Sequence, residues 1–117
     1  MQYLLLIYGD EANWANMPEE TASAMIAAYG TFSKEIEASG HLRGGEALQP
    51  VHTATTVRVR DGKTMMSDGP FAETREQLGG YYLIEAKDID EAVKIAAKIP
   101  DATLGCVEVR PIMKYGP

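Results

Sequence analysis

The residues best suited to chemistry in this chain lie in a loop that contains the run Asp68-Gly69-Pro70-Phe71, followed by Glu73. Loops on a rigid sheet often hold binding or catalytic residues. Burial in a partly apolar pocket raises the pKa of a carboxylate toward a value useful for proton abstraction. Asp68 is therefore a candidate general base, and Gly69, Phe71 and Glu73 are candidate ligand-binding residues. The alternative is that the run only forms a tight turn.

Four further side chains are candidates on other segments. His52 lies in a loop that begins at Pro50, and imidazole can act as a general base near neutral pH. Tyr29 lies on the apolar stripe of a predicted helix, where core packing is the alternative role. Arg43 and Glu46, on a short predicted strand, are candidate ligand-binding residues, and Arg43 could polarise a bound substrate.

The sequence contains none of the standard motifs for phosphate, dinucleotide or zinc binding, and no G-x-S-x-G motif. Its two histidines and single cysteine lack the spacing of metal ligands. We therefore expect no metal site and no cofactor. Cys106 lies in a predicted strand and is expected to be a buried apolar thiol.

Charge and length limit the function classes further. The 117 residues have a formal net charge of -6 and no run of Lys or Arg, which argues against nucleic-acid binding. A charged leader and a long apolar run are both missing from the sequence, so we expect neither secretion nor membrane insertion. The expectation is one cytoplasmic domain over residues 1–117.

The elements that must position these candidates begin with a strand and a long helix. Residues Gln2 to Tyr8 are apolar on both faces, which is typical of a central strand. A helix is predicted from about Pro18 to Ser39, with Gly40 as a left-handed cap. Its apolar stripe consists of Ala22, Met25, Ile26, Tyr29, Phe32 and Ile36.

The rest of the chain alternates strands with one more helix. A bent strand at residues 41–48 precedes a hairpin of residues 55–60 and 63–66, turned at Asp61-Gly62. A long loop leads to a strand at residues 79–86. Asp88 then begins a helix that Pro100 ends, and residues 106–110 form a last strand. The predicted stripe of this helix is Ile89, Ala92, Val93, Ala96 and Ile99.

This β-α-β-β-α-β order predicts an α+β, ferredoxin-like fold, with an antiparallel sheet and both helices on one face. The other sheet face would be largely apolar, because residues 3–7 and 81–84 are apolar at successive positions. An exposed apolar face of that size usually marks a partner. We therefore expect a homodimer that pairs through its sheets.

Several segments together resemble the YCII-related family, in its branch named for the motif Asp-Gly-Pro-Phe. They are M-Q-Y-L-L-L-I-Y-G-D-E, A-T-T-V-R-V-R-D-G-K, D-G-P-F-A-E-T-R-E-Q-L-G-G-Y-Y-L-I-E-A and V-E-V-R-P-I-M. The resemblance implies the dimeric alpha-beta barrel superfamily. It also implies a His-Asp pair between helix and sheet. The histidine position of that pair falls at Tyr29 and the acid is matched to Asp68, and His52 with Asp68 is an alternative pair.

Two classes of function follow. The first is an enzyme that acts on a small cyclic or aromatic metabolite by general acid/base chemistry. Asp68 or His52 would be the base and Tyr29 or Arg43 the polarising group. The second is a non-catalytic small-molecule-binding or regulatory dimer, which the resemblance links to alternative sigma factors. In a third interpretation the Asp68 to Phe71 run is structural only.

Overall fold

A four-stranded antiparallel sheet with helices on one face forms the centre of the computed structural model, which describes residues 1–115. The strands pair in the order β2-β5-β1-β6, and β3 pairs only with β4. The elements in chain order are β1 (Gln2–Gly9), α1 (Glu11–Ala15), α2 (Glu19–Ala38), β2 (Leu42–Ala47), β3 (Thr55–Arg60), β4 (Lys63–Asp68), β5 (Gln77–Glu85), α3 (Ile89–Ala96) and β6 (Cys106–Pro111). The predicted α+β, ferredoxin-like arrangement is confirmed.

The core lies between the sheet and the two longer helices. Alternate residues of β1, namely Tyr3, Leu5 and Ile7, are buried on the helix side. Helix α2 contributes Phe32 and Ile36 to this layer. The Phe32 ring meets Tyr82 of β5 edge to face, with ring centroids 5.1 Å apart. Burial of such side chains stabilises the fold by about 1.5–3 kcal/mol each, so this single layer is the main source of stability.

The bounds predicted for the long helix are confirmed to within one residue. Pro18 precedes the first turn, where Glu19 and Glu20 face the positive end of the helix dipole. Gly40 follows the last turn with a φ of +81°, a conformation that glycine adopts at little cost. The sequence therefore determines both ends of α2 through local chemistry.

The predicted buried stripe of α3 is partly wrong. Ala92, Ile95, Ala96 and the following Ile99 are buried, whereas Ile89 and Val93 are about half exposed. Spacings of three and four residues connect both sets, so the pattern alone does not fix which side faces the sheet. The first-turn cap is as predicted, because the Asp88 carboxylate accepts a hydrogen bond from Glu91 N at 2.9 Å.

The structure contains one helix that was not predicted, and the predicted burial of Cys106 is wrong. The polar connector after β1 contains the short helix α1, which begins where Asp10 accepts a hydrogen bond from Ala12 N at 2.9 Å. Cys106 is exposed instead of buried, because β6 is an edge strand and its first residue lies at the end of the sheet. A five-residue helix and the end of a strand are both too short to show a periodic pattern. The sequence therefore indicates neither the presence of α1 nor the exposure of Cys106.

The hairpin of β3 and β4 is a separate two-stranded unit, which we call the arm (residues 55–68). Its turn at Asp61 and Gly62 has φ values of 52° and 73°, as the Asp-Gly pair predicts. Nearly every residue of the arm is exposed. The radius of gyration is 16.4 Å, whereas a compact domain of this length has about 13 Å. The arm therefore extends away from the body of the chain.

Candidate functional site

A cavity of about 1080 Å³ lies between α1, α2 and the helix side of the sheet. Two sheet positions on this side, Gly45 of β2 and Gly80 of β5, have no side chain to fill it. Both glycines are required by close strand approach: a Cβ at Gly45 would lie 2.8 Å from Tyr81 O, and one at Gly80 would lie 2.9 Å from Glu46 O. The same residues thus pack the strands and leave room beneath α2.

Asp101 is the carboxylate with the most specific contacts in this cavity. It lies in the short 3-10 helix Pro100–Thr103, between α3 and β6. The Tyr29 hydroxyl donates a hydrogen bond to Asp101 Oδ2 at 2.5 Å, and Trp14 Nε1 donates one to Oδ1 at 3.2 Å. The three side chains come from α2, α1 and the turn before β6, and all three line the cavity. The fold therefore presents one carboxylate held by two aromatic donors.

The Tyr29 hydroxyl is poised as a donor. Burial raises the pKa of Tyr29 well above its ordinary value, and the hydrogen bond to the Asp101 carboxylate raises it further. At neutral pH the hydroxyl consequently stays protonated and donates, and Asp101 is the acceptor. A second hydrogen bond, between Ser33 Oγ and Tyr82 OH at 2.8 Å, joins α2 to the sheet beside this pair.

The side of the cavity next to α1 is held by hydrogen bonds between distant segments. Gln77 Oε1 accepts from Glu11 N, and Glu11 Oε2 accepts from Val51 N, each at 2.9 Å. These bonds join α1 to the start of β5 and to the short 3-10 helix Val51–Thr53. His52 lies in that helix, is exposed and lines the cavity. The network fixes a histidine next to the opening of the site.

Three of the eight residues singled out in the sequence line the cavity, namely Tyr29, His52 and Glu46. Arg43 does not, because its guanidinium donates to Gly40 O at 2.7 Å and Leu42 O at 3.0 Å on the exposed surface of the chain. Asp68, Gly69, Phe71 and Glu73 are also absent from the lining. The structure therefore does not bring Asp68 together with Tyr29 and His52.

The Asp68 to Phe71 run closes the base of the arm in this chain. Gly69, with a φ of +91°, donates from its N–H to Ala54 O at 2.7 Å and accepts from Thr56 Oγ1 at 2.8 Å. Phe71 is 78% exposed, so it does not plug the core. Asp68 is thus the last residue of β4 instead of a loop residue, and the chain bends at Gly69 directly after it.

The sequence analysis did not predict Asp101 or Trp14 as site residues. Asp101 follows a helix-ending proline in a short segment with no motif, and its partner Tyr29 is 72 residues away. Only the fold brings them together. Within residues 1–115, no three His, Cys, Asp or Glu side chains lie close enough to hold a metal ion, and no helix has the length and apolar character needed to cross a membrane.

Comparison with known proteins gives one family and one fold. A sequence model of the YCII-related domain matches residues 1–115. An uncharacterised protein of Rhizobium meliloti is 35% identical over the whole of this chain and 96% of its own length. The 5-chloro-2-hydroxyhydroquinone dehydrochlorinase of Burkholderia phenoliruptrix, solved in complex with 2,5-dihydroxybenzoquinone, has a similar fold. It aligns with a TM-score of 0.56 at 16% identity, over 99% of this chain and 96% of its own.

Proposed function

Because this chain belongs to the YCII-related family, and its cavity contains a carboxylate bonded to two aromatic donors, we propose that it is an enzyme. Its substrate is a small cyclic or aromatic metabolite, and its reaction is a proton transfer by general acid/base chemistry. The observation that supports this most directly is the Tyr29–Asp101 hydrogen bond inside a cavity large enough for a ring compound.

Asp101 is the general base in this proposal. Its carboxylate accepts from Tyr29 and Trp14, which fixes its orientation and leaves further lone pairs for a substrate proton. Tyr29, kept protonated by burial, donates its one hydroxyl hydrogen to Asp101 and so positions the carboxylate, and its hydroxyl oxygen can accept a hydrogen bond from a hydroxyl group of a bound ring. His52 exchanges the abstracted proton with water at the opening of the cavity.

The ring-shaped substrate is supported by the lining and by the structural neighbour. Trp14, Tyr29 and Tyr82 provide flat apolar surfaces with polar edges, which suit stacking on a planar ring. The neighbour is named for an activity on a hydroquinone and was solved with a quinone. At 16% identity that likeness supports the fold, so the ring specificity rests mainly on the cavity of this chain.

Proton exchange tests the proposal without knowledge of the natural substrate. Hydroxyhydroquinone is incubated with the protein in deuterated water without oxygen, and deuterium at the ring carbons is followed by NMR. The base removes a hydroxyl proton while a ring carbon gains a deuteron from solvent, which gives the keto tautomer. When a base then removes the original proton from that carbon and the hydroxyl group forms again, the ring keeps the deuteron. We expect the protein to accelerate the exchange and Asp101→Asn to lose the acceleration.

The same experiment separates the enzyme from a non-catalytic binding protein. Exchange that is no faster with the protein than without it, for a compound that nevertheless binds, overturns the enzyme proposal. That result would favour the alternative function, a small-molecule-binding or regulatory dimer.

The proposed working unit is a homodimer. On the sheet face opposite the helices, Leu4, Leu6 and Leu83 are only partly buried. One face of the arm carries Val57, which is 57% exposed, opposite Met66, which is 73% exposed. The arm has three basic and two acidic side chains, a net charge of +1 within a chain of -6, so it is attracted to the acidic body of a second copy.

A further inference from the structure

The charge of the cavity lining points to a narrower ligand class than its shape does. Of the 11 Lys and Arg residues of the chain, none lines the cavity. Four acidic residues do line it, namely Asp10, Glu11, Glu46 and Asp101. The lining therefore has four carboxylates against one basic side chain, His52, and no Lys or Arg to pair with an acidic ligand.

Three of these carboxylates are already partnered by neutral donors. Asp101 accepts from Tyr29 and Trp14, Glu11 accepts from the backbone N–H of Val51, and Asp10 accepts from the backbone N–H of Ala12. Neutral donors hold a carboxylate in place without cancelling its charge. An anionic group brought close to Asp101, which is partly buried, would lose water and meet a like charge, and both effects disfavour its binding.

The aromatic side chains make the same cavity favourable for the opposite charge. The faces of Trp and Tyr rings attract an ammonium group, and a nearby carboxylate adds to that attraction. Trp14, Tyr29 and Tyr82 lie in the lining together with Asp101. A neutral ring with hydroxyl groups also suits the site, because each hydroxyl can donate to a carboxylate oxygen.

We propose that this cavity binds neutral or cationic aromatic compounds and excludes carboxylated ones. The inference deepens the proposed function, since it concerns the substrate class of the same site. It does not depend on catalysis, because selection by charge acts on binding alone.

Arg75 is the cation that could oppose this selection. It lines a separate, smaller hollow with Glu76, and that hollow shares Asp10, Asn13 and Leu104 with the lining of the cavity. The hollow has its own two acidic residues, Asp10 and Glu76, so the arginine has acidic neighbours there. Removal of Arg75 should consequently leave the charge preference of the cavity unchanged.

The test uses three phenols with the same ring and a short chain that ends in different charges. They are tyramine, an ammonium; tyrosol, a neutral alcohol; and 4-hydroxyphenylacetate, a carboxylate. Trp14 is the single tryptophan of the chain and lines the cavity, so its fluorescence, excited at the red edge of its absorption, reports occupancy. We expect tyramine and tyrosol to bind at least ~10-fold more tightly than the carboxylate, which corresponds to about 1.4 kcal/mol.

Two variants assign the preference to residues. Glu11→Gln, which keeps an acceptor for Val51 N, should reduce the difference in binding affinity between tyramine and 4-hydroxyphenylacetate. Arg75→Gln should leave that difference in affinity unchanged. The proposal is overturned if the carboxylate binds as tightly as the other two probes, if Arg75→Gln abolishes binding, or if none of the three changes Trp14 fluorescence.

The outcome is separable from that of the proposed function. If tyramine and tyrosol bind selectively while ring exchange of hydroxyhydroquinone is not accelerated, the ligand class stands and the enzyme proposal fails. If exchange is accelerated but the carboxylated phenol binds best, the enzyme proposal stands and the ligand class fails.

Discussion

Asp101 is held by donors from two consecutive helices, α1 and α2, that lie far from it in the sequence. Tyr29 OH and Trp14 Nε1 each occupy one carboxylate oxygen, at 2.5 Å and 3.2 Å. A carboxylate oriented from both sides loses little freedom when a substrate binds, and this preorganisation is what general base catalysis requires. The proposed catalysis therefore depends on this one side chain more than on any other.

Replacement of Asp101 by asparagine should lower ring-proton exchange by about 100-fold or more, the usual contribution of a general base. The amide keeps the size of the side chain and an acceptor for Tyr29 but loses the basic oxygen. Asp90→Asn is the matched control, because Asp90 is exposed on the first turn of α3. Asp68→Asn tests the sequence-based hypothesis that Asp68 is the general base. Loss of ring-proton exchange in Asp68→Asn, with normal exchange in Asp101→Asn, would show that Asp68 and not Asp101 is the base.

Tyr29 should make stability depend on alkaline pH. Its pKa is raised in the folded chain, so the folded state keeps the proton where the unfolded state loses it. This stability is fully present below the ordinary tyrosine pKa of about 10 and decreases as the pH rises above it. We expect the free energy of unfolding, measured by urea titration between neutral and strongly alkaline pH, to fall less steeply in Tyr29→Phe. An unchanged slope would contradict the raised pKa.

At the scale of elements, α2 and the hairpin could be predicted, whereas only part of the site could: Tyr29, His52 and Glu46 were predicted, and Asp101 was not. The ends of α2 and the turn at Asp61-Gly62 depend on caps and φ preferences within a few residues. The Tyr29–Asp101 contact links residues 72 apart, through a turn whose local sequence has no periodic pattern. Local chemistry specifies elements, whereas the site depends on how α1, α2 and the turn before β6 meet.

Two neighbouring glycines of β2, Gly44 and Gly45, test whether the close approach of β2 to β5 requires glycine beside the cavity. A Cβ at Gly45 would lie 2.8 Å from Tyr81 O, whereas one at Gly44 would meet only Leu83 Cβ, at 3.9 Å. Gly45→Ala should therefore destabilise the fold by about 1–3 kcal/mol. Gly44→Ala should change the free energy of unfolding by much less. Urea titrations that give the two variants equal losses of unfolding free energy would show that close approach to β5 does not explain the need for glycine at position 45.

The junction between α2 and α3 should weaken in acid. The backbone N–H of Lys87 and the His41 side chain both bond the Glu91 carboxylate, which lowers the pKa of Glu91. Its contribution to stability is present above the ordinary glutamate pKa and is lost as the pH falls through the lowered value. In Glu91→Gln, the free energy of unfolding measured by urea titration should fall less steeply as the pH is lowered; we call this part of the stability–pH curve the acid limb. Glu35→Gln, an exposed helix position, should leave that limb unchanged; a change there as large as in Glu91→Gln would contradict the assignment.

At the scale of the whole molecule, the contacts within one chain do not account for the stability of the arm. A two-stranded hairpin is at best marginally stable by itself in water. This one pairs with neither edge of the four-stranded sheet. It exposes Val57, Val59 and Met66 on one face and Met65 on the other. The half-buried leucines on the helix-free side of the sheet are a second unsatisfied apolar surface in the same molecule. Association of two copies would cover both.

Light scattering after size-exclusion chromatography tests this association. We expect a mass of two chains at micromolar concentration, and we expect Met66→Ser to shift the equilibrium toward one chain, because it removes apolar surface from the arm without changing charge. Met113→Ser is the matched control: Met113 is 70% exposed, compared with 73% for Met66, and lies outside the arm. A monomer at all concentrations would exclude the dimer. A stable dimer that Met113→Ser weakens and Met66→Ser does not would place the interface away from the arm, so the exposed face of the hairpin would need another explanation.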